Sequence, residues 1–121
     1  MRTSFSILFL VFTITAFSQA PSKADQARDA LDAALKDKNP DTRKEAVVAL
    51  SLAGTGDPYA TWLEKMLDDK DVEVRVATVS SLVDLKSSRT IPALHKALKD
   101  EVPEVKIWTK LCENWLKSIG F

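Results

Sequence analysis

Three aspartates recur along the chain, each followed six residues later by a cation: Asp37 with Arg43, Asp69 with Arg75, and Asp100 with Lys106. Carboxylates in such an array could hold a metal ion or work as general acids and bases. They could instead tie turns together, accepting hydrogen bonds from backbone amides or from a guanidinium. The spacing favours the second chemistry. Arg43 and Arg75 stand 32 residues apart, and Arg75 and Lys106 stand 31 apart. The same offsets relate Leu31, Leu63 and Leu94, then Leu35, Leu67 and Leu98, and also the three aspartates. A catalytic group has no reason to recur in every repeat, whereas a ladder between repeats must. The six residues are therefore read as structural rungs, and no metal or other cofactor is expected.

The remaining reactive side chains are few. His95 is the only histidine and Cys112 the only cysteine, so no cluster with zinc-ligand spacing exists. Cys112 falls on the apolar side of its segment and reads as a small packing residue. As a nucleophile it would need a base, and His95, on another segment, is the only imidazole. Gly54-Thr55-Gly56 lacks the Gly-Lys-Ser/Thr ending of a phosphate loop and the strand that precedes one. Nothing here assembles a paired acid and base, and the chain is read as non-enzymatic.

A period of 31 or 32 residues accommodates two helices of about 12 residues and two turns. Apolar residues at helical spacing predict helices near 25–36, 40–53, 58–67, 72–85, 91–99 and 103–119. The first should turn Ala27, Ala30, Leu31, Ala34 and Leu35 inward, and the second Val47, Leu50 and Ala53. Asn39 suits an N-cap with Pro40 at the first helical position, and Asp71-Val72-Glu73 and Pro103-Glu104 repeat that start signal.

The aspartate, the acidic residue before Val74-Arg75, and then Ala77 and Leu82 together resemble a HEAT repeat. The pattern is most similar to the short HEAT-like class first described in phycobilin lyases. The resemblance covers residues 24–119; in its third copy Lys106 replaces the usual arginine and Trp108 stands where a small alanine is usual. It implies an all-α protein, a right-handed α-solenoid of three stacked HEAT-like helix–turn–helix pairs. It also implies that the even-numbered helices line a concave face. The outward positions of those helices align as Lys44, Val76 and Ile107; Val48, Ser80 and Leu111; Leu52, Asp84 and Trp115. Such a face is partly apolar and carries little charge, which suits a protein or peptide ligand better than nucleic acid.

The last helix is apolar around much of its girth. Trp108, Leu111, Cys112, Trp115 and Ile119 form one stripe, widened by Ile107 and Leu116. Three roles fit it: a cap with its aromatics folded inward, a docking face for a partner or a second copy, or an internal piece of a longer array. The first function expected is thus a protein–protein interaction or scaffold module, with self-association through the C-terminal helix as one form of it. The alternatives are a chromophore-lyase-like HEAT enzyme or subunit, and a terminal fragment of a longer repeat protein.

Charge narrows the partners further. Lysine plus arginine and aspartate plus glutamate number 17 each, with the signs interspersed. That leaves no basic field for nucleic acid. The first twenty residues differ from the rest: Arg2, an apolar run of about 13 residues from Phe5 to Phe17, then Ser18 and Ala20. This is the layout of a secretory signal peptide, cleaved near residues 18–20, ahead of one domain at 21–121. A secreted or periplasmic protein follows, with no membrane span after cleavage. The alternative is anchoring by an uncleaved N-terminal segment, for which the run is short.

Overall fold

The computed structural model describes residues 20–120; apart from Ala20, the expected leader lies outside them. Among the described residues six α-helices follow one another: α1 (Lys23–Leu35), α2 (Pro40–Ala53), α3 (Tyr59–Met66), α4 (Val72–Asp84), α5 (Ile91–Ala97) and α6 (Pro103–Ser118). A single 3-10 turn, Ser88–Thr90, leads into α5, and the described residues contain no strand. The chain is all-α, arranged as three helix pairs.

Local chemistry starts the helices. Ser22 and Asp25 close a reciprocal box at α1: the Ser22 Oγ accepts from the Asp25 amide at 3.1 Å and the Asp25 carboxylate accepts from the Ser22 amide at 3.2 Å. The helix therefore starts two residues earlier than its apolar pattern predicts. Asn39 caps α2 by accepting from the Asp41 amide, and Asp71 caps α4 by accepting from the amides of Glu73 and Val74. Pro40 and Pro103 occupy first helical positions, where a missing N–H breaks no helical bond. Gly54, with φ at 97°, ends α2 in a conformation that needs no Cβ. One period later Lys86 takes a left-handed φ of 45° after α4.

Packing builds two layers. α2, α4 and α6 lie side by side, and α3 and α5 sit over the junctions between them, while α1 packs on α2. The even-numbered helices pack directly on one another, and the odd ones scarcely do. Leu50, Leu63, Leu82 and Leu94 form the fully buried centre. Where α2 has Ala46, the next two pairs carry Thr78 and Thr109, also buried. Their hydroxyls donate to the carbonyls one turn back, Val74 and Val105, at 2.7 Å.

Two expectations about the inward faces change. Ala27 and Ala30 of α1 are exposed, and only Leu31, Ala34 and Leu35 meet the core, because α1 has its main neighbour on one side. Ala53 is exposed as well, at the end of α2, where the chain turns away through Gly54. Among the described residues no helix is long and apolar enough to cross a membrane.

Candidate functional site

The recurring acids and cations meet across the repeats. Arg43, buried in α2, donates from Nε and Nη2 to the two carboxylate oxygens of Asp69, both at 2.8 Å, while its Nη1 donates to the Asp37 and Lys38 carbonyls. Arg75 repeats the grip one pair later. It donates to Asp100 at 2.8 and 3.3 Å and to the Asp69 carbonyl at 2.8 Å. Each aspartate also folds its own turn: Asp37, Asp69 and Asp100 accept from the amides of Asn39, Asp71 and Val102. One guanidinium therefore holds the turn of its own pair and the turn of the next.

The electrostatics follow from that geometry. Burial pushes the Asp69 carboxyl up, but the Arg43 bonds, the Asp71 amide and the Arg43 charge outweigh it, leaving the carboxyl below its ordinary value. Asp100 is likewise raised by burial and lowered more strongly by the Val102 amide and by Arg75. The two ends of the ladder differ. The Asp37 carboxylate has no ion pair among the described residues, and neither does Lys106, which is exposed. Asp69 and Asp100 are engaged by guanidinium and amide donors, and the arrangement locks turns.

The outward face of the even-numbered helices carries three rows. Lys44, Val48 and Leu52 lie along α2, Val76, Ser80 and Asp84 along α4, and Ile107, Leu111 and Trp115 along α6. Leu52, Ile107 and Leu111 are 84, 62 and 56 % exposed, while Val76 is partly packed against the core. Between α2 and α4 runs an open groove of about 500 Å³ lined by Lys44, Glu45, Val48, Ala77, Ser80, Ser81 and Asp84. Between α4 and α6 a second, of about 340 Å³, is lined by Val83, Asp84, Trp108, Leu111, Cys112 and Trp115. Asp84 borders both.

The aromatics of α6 are not folded inward. Trp108 is 41 % exposed and Trp115 44 %; the buried side of the helix is instead Val105, Thr109, Cys112 and Leu116. Trp108 is nevertheless fixed, its Nε1 donating to the Ser80 Oγ at 2.8 Å across to α4. Lys86 brings its ammonium to 5.8 Å from the Trp115 ring centre. Cys112 is one of the residues lining the second groove, and burial followed by the nearby Asp84 raises its thiol above the ordinary range. A reactive thiol is tuned the other way.

His95 points largely to solvent, yet its Nε2 lies 3.8 Å from Glu113, a residue that the apolar pattern of the last helix conceals. The signal for Glu113 was present in the repeat offsets: they carry Leu50 to Leu82 and then to Glu113.

Residues 59–109, from the first residue of α3 into α6, match a family model described as HEAT repeats. No curated protein matches the chain.

Proposed function

Because residues 59–109 are HEAT repeats and the pair before them is tied in by the same arginine–aspartate rung, we propose that this HEAT-repeat chain is a non-enzymatic module that binds a protein segment on its concave face. HEAT repeats generally serve protein–protein interaction or scaffolding, and that coarser role fits this chain. The observation that carries the finer reading is the row Ile107, Leu111 and Trp115, with Trp108 beside it. These large apolar groups are held in solvent on a helix whose other face is buried. Trp108 is already immobilised by Ser80, so a ligand stacking on it loses little additional side-chain freedom.

The ligand that fits is an extended or helical segment with apolar anchors flanking a basic residue. The anchors would fill the two grooves, and the cation would face Asp84, which borders both. The mechanism is rigid presentation: the rungs hold the three pairs in register, and no bond is made or broken. The raised Cys112 thiol supports a binding role over thiol chemistry. The leader expected at residues 1–20 makes the module an exported one, secreted or periplasmic.

Selection from a random peptide display library on the purified protein tests the reading, with a Leu111→Asp/Trp115→Glu variant as the counter-target. Peptides enriched on the wild type alone, with paired apolar residues around a lysine or arginine, are the expected result. Equal enrichment on both proteins, or none, would refute it. Light scattering across a concentration range separates a second copy from a foreign partner: association lost in Trp115→Glu with helicity retained would make α6 a self-association face.

A further inference from the structure

α6 departs from its sister helices at two core positions. Leu50 in α2 and Leu82 in α4 are fully buried, and the repeat offsets carry that place to Glu113, only 9 % exposed. Val47 and Val79, also fully buried, are carried to the exposed Lys110. Glu113 therefore puts a carboxylate where two leucines define the pattern. Its Oε2 lies 3.5 Å from the Lys110 Nζ. Its Oε1 is buried and accepts no hydrogen bond among the described residues. A buried acceptor without a donor is costly, so native structures rarely keep one without a use for it.

Beside Glu113, between α5 and α6, lies a cavity of about 60 Å³. Ile91, Leu94 and Leu116 give it apolar walls, and Glu113, His95 and Lys117 are its ionisable groups. We propose that this cavity binds a primary ammonium on a short aliphatic stem, the chemistry of a small alkylamine or a lysine side chain.

The distances specify the head group. His95 Nε2 and a carboxylate oxygen of Glu113 are 3.8 Å apart, too far to bond each other directly. One nitrogen bonded to both spans the gap when the exposed His95 ring turns aside to uncover Oε1. An ammonium offers three N–H donors and no lone pair, so it can donate to Oε1 and to an imidazole lone pair together. The cavity is small and open to solvent on one side, so it admits an ammonium with its first methylene. The apolar walls take the stem. Lys110 and Lys117 oppose the incoming charge, but Lys110 is spent on Oε2 and both are solvated, so their repulsion is screened.

The test is a titration of the full protein, followed by nuclear magnetic resonance, with n-butylammonium, with 1-butanol, and with blocked tripeptides Gly-Lys-Gly and Gly-norleucine-Gly. The expected result is shifts of the His95, Leu94 and Leu116 signals by butylammonium with a Kd of about 1 mM. Butanol and the norleucine peptide should not produce them. Glu113→Gln should bind at least about tenfold more weakly, since the charge is gone and the shape kept. Glu113→Leu restores the residue of the other pairs, folds for that reason, and should not bind. Shifts with the lysine peptide identify a side-chain site, and shifts with butylammonium alone a free-amine site. No shift with either amine, equal shifts with butanol, or unchanged shifts in Glu113→Leu would overturn the proposal.

Discussion

Arg43 of α2 and Asp69 at the turn before α4 meet side-on, two N–H groups on two carboxylate oxygens, across 26 residues of sequence. Both side chains are more than nine-tenths buried. Removing one partner leaves the other charged and without water. Asp69→Ala should therefore cost about 3–5 kcal/mol. Replacing both, as Arg43→Met with Asp69→Leu, should recover most of that loss, since two apolar groups leave no stranded charge. Urea denaturation gives both numbers from the midpoint at constant slope. A single variant within about 0.5 kcal/mol of wild type would mean the rung contributes nothing.

Acid should weaken the same rungs. The folded-state values of Asp69 and Asp100 are lowered, so their contribution is fully present above the unfolded carboxyl value of about 3.9. It is lost as pH falls through the lower folded values, because the unfolded chain then binds more protons. Melting temperature should hold steady from pH 7 to about 5 and fall steeply below about 4. Asp69→Asn should melt lower at pH 7 and fall less on acidification. A parallel fall in wild type and variant would remove Asp69 from the account.

The leucine position tests the repeat against its own exception. Leu82 is fully buried, and Leu82→Ala should cost roughly 2–5 kcal/mol. Glu113→Leu, at the same position one pair later, should stabilise by about 1–3 kcal/mol, because it removes a buried oxygen that nothing in the described fold satisfies. The two changes add or remove apolar bulk at one repeat position, so their opposite signs read out the carboxylate.

The tryptophans should separate stability from binding. Trp115 is half exposed, and Trp115→Glu should cost at most about 1 kcal/mol, chiefly its contact with Lys86. Its circular dichroism should match the wild type while peptide capture is lost. Trp108→Phe removes the bond to Ser80 and should cost about 0.5–1.5 kcal/mol. If Trp115→Glu unfolds the protein, the side chain belongs to the packing and not to a ligand face.

Much of this architecture was legible along the chain. Helix pairs announce themselves through a period, and caps such as Asn39-Pro40 and Asp71 act within three residues, so sequence order and spatial neighbourhood coincide there. Ala27 and Ala30 were misread because periodicity marks an apolar stripe without saying whether a neighbouring helix covers it. Helix six left several roles open for a related reason. Apolar residues surround it, and which side is buried depends on where α4 and α5 lie. That placement put Val105, Thr109 and Leu116 inside and left both tryptophans outside.

The amino-acid sequence by itself determined that this protein is a stack of helix pairs, that its acids and cations recur as structure, and that its surface carries no basic field. These are properties of local propensity, period and composition, which need no third dimension. Only the tertiary structure decided that Arg43 reaches the next pair's Asp69 rather than the carboxylate of its own Asp37. It alone brought Glu113 beside His95 and left its Oε1 without a donor among the described residues. The reason is physical: a side chain's partners are set by how rigid helices lean on one another, and a repeat distance in sequence carries no angle.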